Sequence, residues 1–211
     1  MPEGGFRDLY PAELADGRQI ALPIRVLPGD GDKAVASLIV NQASFSVEDA
    51  LSAAMAELLS PFAPDVVVGV PTLGLPLANG AARRLGHPRM VALGTSRKFW
   101  YDEALSEPMS SITSPTHAKR LYVDPRMLPL LQGRRVAVVD DVISSGSSML
   151  AVLKLLRKAG VEPVAAAFAM IQGQTWRAPI ADLAPDMPGR IVGALTTPRL
   201  ARIDEGAWLP A

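Results

Sequence analysis

The 211-residue chain contains no cysteine. That excludes a disulfide framework, a thiolate metal site and a cysteine nucleophile. Histidine is nearly absent as well. His87 and His117 are the only two, too few for a multi-histidine metal centre. Neither charge is in excess, Lys+Arg and Asp+Glu both numbering 21. A general nucleic-acid binder usually shows a basic excess, so nucleic acid is not an expected partner. No apolar run is long enough to span a bilayer, and no basic-then-apolar leader pattern opens the chain. A cytoplasmic protein with no membrane partner is expected. What the chain has in quantity is apolar material, 49% of its residues. That is enough core for one large domain, or one domain with a small appendage.

The apolar residues fall into alternating short runs and helical periods. Ile20 to Leu27 and Ala34 to Val40 read as a strand pair, with Pro23 favouring an edge. Ser46 opens a helix carrying Val47, Leu51, Ala54, Met55, Leu58 and Leu59 at helical spacing, and Pro61 ends it. Ser46 is the expected cap, with Asp49 in the place of a capping-box acid. Val66 to Val70 is a buried strand, 71–76 a tight loop, and Leu77 to Leu85 a helix closed by Gly86. Met90 to Leu93, Lys119 to Val123, Arg135 to Val139, Val161 to Ile171 and Ile191 to Leu195 read as strands. Arg126 to Leu131 reads as a short turn or helix. Strands alternating with helices predict an α/β fold, doubly wound around a mostly parallel sheet. In such sheets ligands bind beyond the carboxyl ends of the strands, where the loops 71–76, 94–118 and 140–148 emerge.

The third of these loops carries the clearest chemistry. Val136-Ala-Val-Val139 runs into two adjacent carboxylates, Asp140 and Asp141. Ser144-Ser-Gly-Ser-Ser148 follows, and an apolar helical period then runs to Gly160. Carboxylates accept hydrogen bonds from vicinal sugar hydroxyls. Serine hydroxyls, backbone amides around Gly146 and the start of a helix are donors for a phosphate. A Ser-rich turn by itself more often caps a helix. Two acids at the end of an apolar strand are costly without a partner, and this shifts the reading toward a phosphorylated ribose.

Residues 137–148 resemble the phosphoribosyl-pyrophosphate (PRPP) signature of type I phosphoribosyltransferases: an apolar strand, two acids, two apolar residues, two Thr/Ser, Gly, any residue, Thr/Ser. The resemblance implies that Asp140 and Asp141 hold the ribose 2′- and 3′-hydroxyls and reach Mg²⁺, directly or through water. Ser144, Ser145, Gly146, Ser147 and Ser148 would hold the 5′-phosphate. Thr72, Leu73 and Gly74, in a loop without the basic residue common in relatives, would meet the pyrophosphate. Arg97 and Lys98 resemble an Arg-Lys pair of adenine-type members, where it contacts pyrophosphate ahead of a mobile loop. They would supply the missing charge as catalytic residues beside Asp140 and Asp141. The lid would span roughly 99–116 and include the hydroxyl-rich Ser110 to Pro115. Lys119 and Arg120 are further phosphate candidates, and His117 an acid–base candidate.

The acceptor base is expected near Gln172 and Trp176. Phe6 to Pro11 is similar to an N-terminal segment of adenine-type members. The expected organisation is an N-terminal segment 1–45 as hood or hairpin, a core of 46–175, and a segment 176–211 as hood or dimer contact. The resemblance implies a Mg²⁺-dependent, homodimeric transferase acting on PRPP and a nucleobase, a purine given the Arg97-Lys98 context. The alternative is a non-catalytic PRPP-sensing regulator on the same fold.

Overall fold

A computed structural model describes residues 4–29, 31–109, 119–204 and 206–211. Its centre is a parallel sheet of five strands: β4 (Val66–Gly69), β5 (Val91–Ala92), β8 (Val136–Ile143), β9 (Ala165–Gln172) and β10 (Ile191–Thr197), in the spatial order β10-β9-β8-β4-β5. Helices cover both faces, so the sheet is doubly wound. α1 (Phe45–Leu59) and α2 (Gly74–Arg84) lie against one face, and α4 (Ser147–Lys158) and α5 (Arg177–Leu183) against the other.

Strand alternation explains the two cores. Val67, Ala137, Val139, Ala165 and Ala167 point to the α1–α2 side, where Leu51, Met55, Leu59, Leu77 and Ala78 meet them. Val66, Val68, Val136, Val138 and Phe168 point to the other side, against Val152, Leu155, Leu156 and Trp176. Full burial of each large aliphatic side chain is worth roughly 1.5–3 kcal/mol. The all-apolar stretches therefore take the central strands.

α1 begins at Phe45, one residue earlier than expected, and its cap is Ser44 rather than Ser46. The Val47 amide donates to Ser44 Oγ at 3.4 Å. Asp49 belongs to no capping box; it reaches across to Arg84 of α2 at 3.0 Å. α2 also starts early, at Gly74 instead of Leu77. β8 continues past Val139 through both aspartates, pairing Asp140 with Phe168 and Ile143 with Ile171 on β9. The acids are thus strand residues, not turn residues.

A second, antiparallel sheet joins the two ends of the chain. β1 (Leu9–Glu13), β2 (Gln19–Val26), β3 (Lys33–Ala36), β11 (Arg199–Asp204) and β12 (Ala207–Pro210) are ordered β1-β2-β3-β11-β12. Phe6 bridges to Trp208 beside β12. A helical turn at Glu103–Leu105 leads into β6 (Ser106–Met109), which pairs with β7 (Lys119–Tyr122). Lys158 of α4 anchors this hairpin, pairing with Glu107 at 2.6 Å and donating to the Ser106 carbonyl at 2.8 Å. The expected hydroxyl-rich stretch Ser110 to Pro115, and His117, lie outside the described residues. α3 (Leu128–Leu131) completes the set. Among the described residues no helix is long and apolar enough to cross a membrane.

Candidate functional site

Because β4, β5 and β8 run parallel, the loops that follow them leave from one edge of the sheet. The loops after β4 and β8 meet at Gly74. A Cβ built there would lie 2.8 Å from both Cα and Oδ1 of Asp140, and 3.0 Å from the Val139 carbonyl oxygen. Only glycine permits so close an approach. The approach brings the start of α2 against Asp140. The Pro71–Thr72 peptide in the same loop is cis. Thr72 is exposed, Leu73 half-buried and Gly74 buried. The early start of α2 makes the Leu73 and Gly74 amides part of a helix N-terminus, which favours anions.

Asp140 is 7% exposed, and the Asp141 amide donates to its Oδ1 at 2.8 Å. Burial pushes the Asp140 carboxyl well above the ordinary carboxylate range, and the neighbouring Asp141 charge adds to the shift. Asp141, half-buried, is also raised by burial, while its hydrogen bonds oppose the shift. Hydroxyl donors or a cation on a ligand would offset this cost of charge. Asp141 is the more accessible of the two.

Beyond them, Ser144, Ser145, Ser147 and Ser148 are all half-buried around buried Gly146, whose φ is +83°. Gly146 itself occupies the N-cap of α4, and no side chain bonds there as a cap. Of the serine hydroxyls, only that of Ser145 accepts from an amide of the first turn, that of Ser147. Ser145 and Ser147 hydroxyls lie 3.2 Å apart, and the Ser147 amide lies 3.4 Å from Ser145 Oγ. The result is a hydroxyl-and-amide cradle at a twelve-residue helix N-terminus.

Arg97 and Lys98 follow β5 on the far side of β4. Arg97 is exposed and lies 3.5 Å from Glu103, which also pairs with Arg120 at 3.3 Å. Arg120 additionally donates to buried Ser106 at 2.7 Å, so its role here is to hold the hairpin. Phe99 is 97% exposed; Trp100 donates its indole N–H to Asp124 at 3.3 Å.

The two residues expected at the base are both buried. Gln172 is 7% exposed and donates its side-chain amide to the Ala36 carbonyl of β3 at 3.0 Å, tying the antiparallel sheet to the core. Trp176 is fully buried, under Gly146, and its indole N–H donates to the Gly173 carbonyl at 3.2 Å. It presents no surface to a base in this conformation. Between them, beyond the carboxyl ends of β9 and β10, lies an open cavity of about 500 Å³. Gln174, Thr175, Thr196, Thr197 and Arg199 line it. No motif pointed to Thr196, Thr197 or Arg199; only the pairing of β10 with β9 brings them to this edge.

A doubly wound sheet thus brings an acid pair, a hydroxyl cradle and two helix N-termini to one edge. Residues 41–188 match the family described as "Phosphoribosyl transferase domain", and the chain belongs to that family. It is 33% identical over 123 residues to a xanthine phosphoribosyltransferase of Chloroflexus aurantiacus, covering 56% of this chain and 54% of that protein. It is 34% identical over 111 residues to amidophosphoribosyltransferase 3 of Arabidopsis thaliana, covering 51% of this chain and 20% of that protein. The chain thus spans about half or less of the curated relatives it matches. Among solved structures it resembles an adenine phosphoribosyltransferase of Giardia lamblia complexed with 9-deazaadenine. The TM-score is 0.62 and the identity 18%, over 90% of this chain and 93% of that one. At that identity the likeness establishes the fold.

Proposed function

We propose that the protein transfers the 5-phosphoribosyl group from PRPP to a ring nitrogen of a nucleobase, a purine, and releases pyrophosphate. The observation that carries this reading is the close approach of Gly74 to Asp140, which sets a helix N-terminus, an acid pair and a serine cradle side by side. The names of relatives acting on xanthine and on hypoxanthine/guanine support a purine acceptor.

In this reading Ser144 to Ser148 and the α4 amides bind the 5′-phosphate. Asp141, with Asp140 behind it, accepts from the ribose hydroxyls. The amides of Leu73 and Gly74, the Thr72 hydroxyl, Arg97 and Lys98 meet the pyrophosphate. The base occupies the cavity beyond β9 and β10. Its nitrogen lone pair forms the bond to C1 as the C1–O bond breaks and the electron pair leaves with pyrophosphate; the nitrogen's proton goes to solvent. Fixed ribose geometry and preorganised donors at the leaving group supply the rate.

Among the described residues no cluster of three or more His, Asp or Glu exists that would hold a metal unaided. Mg²⁺ commonly takes one or two carboxylates together with substrate phosphates and water, and Asp140 with Asp141 fits that donor set. When bound, Mg²⁺ would neutralise charge on the leaving pyrophosphate. The expected setting is nucleotide salvage in the cytoplasm by a homodimer.

One observation favours a second reading, a PRPP sensor without chemistry. The 71–74 loop carries no cation, and Arg97 faces Glu103. Incubation with PRPP, Mg²⁺ and a panel of purines and pyrimidines decides, with pyrophosphate release as the readout. Release with one base, lost by about 10²–10³-fold in Asp141→Asn, is expected. Magnesium-dependent PRPP binding without release would establish the sensor; no PRPP binding would sink both.

A further inference from the structure

The segment Gly173 to Trp176 has two sides. One, through Gly173, Gln174 and Thr175, lines the cavity beyond β9 and β10. The other is packed into the serine cradle. Ile143 is the last residue of β8 in register with β9, so Ser144 is the first to leave the ladder. Its carbonyl accepts a hydrogen bond from the Thr175 hydroxyl at 2.9 Å. Two residues on, Gly146 lies directly against Trp176. A Cβ at Gly146 would be 3.1 Å from Trp176 Cβ, 3.3 Å from its Cα and 3.4 Å from its carbonyl oxygen.

Trp176 is in turn fixed from several directions. Its indole N–H donates to the Gly173 carbonyl, and the Arg177 guanidinium lies 4.6 Å over its ring. The Gly173 amide donates to the Thr197 carbonyl at the end of β10, at 3.1 Å. A continuous chain of contacts therefore runs from β10 through Gly173 and Trp176 to the turn of the cradle, with Thr175 as a second tie at its start.

We propose that Thr175 and Trp176 are positioning residues for the phosphate loop, Thr175 holding its start at Ser144 and Trp176 backing its turn at Gly146. Neither touches the phosphate. They hold the loop amides and hydroxyls in the binding geometry before ligand arrives, which lowers the ordering cost of binding. The inference rests on the reading of Ser144 to Ser148 as the 5′-phosphate site. It goes beyond that reading by assigning a role to residues outside the motif. It also implies that the wall of the acceptor cavity and the phosphate loop move as one piece.

The strut acts on one end of PRPP only, and this makes it separable from general stability. Thr175→Val keeps the shape and removes the donor; Thr175→Ser keeps the donor. Calorimetry on the full chain with Mg²⁺ would compare PRPP, ribose 5-phosphate and pyrophosphate. The Val variant should bind PRPP and ribose 5-phosphate about three- to tenfold more weakly, the loss of one neutral hydrogen bond. Pyrophosphate, which lacks the 5′-phosphate, should bind as to the wild type. The Ser variant should restore both ligands. Trp176→Phe drops the bond to Gly173 and should weaken the same two ligands and spare pyrophosphate.

Unchanged affinities in the Val variant would overturn the role of Thr175, and in the Phe variant that of Trp176. An equal loss for pyrophosphate would show a merely structural effect and overturn the proposal. A wild type that binds pyrophosphate but not ribose 5-phosphate would overturn the phosphate-loop reading and the strut with it. A wild type that binds all three without turnover would sink the enzyme reading and leave the strut standing.

Discussion

The loops leading into α2 and α4 both deliver backbone amides to the carboxyl edge of the parallel sheet, but they are made of different material. The α4 loop is a run of serines around one glycine, and it carries hydroxyl donors in its own sequence. The α2 loop, Pro71 to Gly74, has a single hydroxyl and no charge. Its position rather than its composition qualifies it, because Gly74 sits against Asp140 with no room for a side chain. The α4 loop leans on a buried tryptophan from a later segment; the α2 loop leans on the acid pair itself. A ligand spanning both would thus be held by side chains at one end and by backbone, with a cation from Arg97, Lys98 or a metal, at the other.

Substitutions at the two glycines break this comparison most sharply. Gly74→Ala has no space to occupy, since the neighbours are backbone and the Asp140 carboxylate. The helix must move, and a loss of about 1–3 kcal/mol in stability is expected together with loss of PRPP binding. Gly146→Ala meets Trp176 and an unfavourable positive φ, a cost of about 1–2 kcal/mol. Denaturant melts and calorimetry with PRPP and pyrophosphate separate the two. Gly74→Ala should impair both ligands and Gly146→Ala chiefly PRPP. The reverse ranking would refute the assignment of the two loops.

A subtler effect concerns the acids between them. Both carboxyls are held above the ordinary range, chiefly by burial. The folded protein then binds more protons than the unfolded chain between the ordinary carboxylate range and the raised values. Stability of the free protein should fall as pH rises through that window and level off above it. Asp140→Asn should raise the melting temperature at neutral pH and flatten this dependence, while weakening PRPP binding. A lower melting temperature in that variant would contradict the burial argument.

The smallest effect belongs to Arg97. Its pairing with Glu103 is exposed at both ends, and such pairs contribute about 0–1 kcal/mol. Arg97→Ala should leave the melting temperature nearly unchanged while weakening pyrophosphate and PRPP more than ribose 5-phosphate. Equal losses for all three ligands would remove Arg97 from the leaving-group end.

Local sequence was informative where one stretch of chain does a whole job. The acid pair, the serine cradle and the helix behind them follow one another within 136–160, and periodicity placed most strands and helices of the parallel sheet. It was less so at boundaries. Ser44 displaced Ser46 as the cap because α1 already starts at Phe45, and α2 starts at Gly74 because the turn before it is tight. β1, β11 and β12 are short and contain or adjoin proline, so no period marks them; β3 pairing with β11 unites them. Gln172 and Trp176, expected at the base, are both turned inward by burial, one to the second sheet and one to the serine loop.

By itself the sequence determined an α/β chain with a contiguous motif of two acids and a serine loop, because the geometry of those residues is set within a few positions. Only the tertiary structure decided what stands around that motif: Gly74 against Asp140, Trp176 beneath Gly146, Thr196 and Thr197 beside Thr175. These are contacts between segments as much as 66 positions apart, as from Gly74 to Asp140. They are fixed by strand order and helix packing, which no local pattern of residues records.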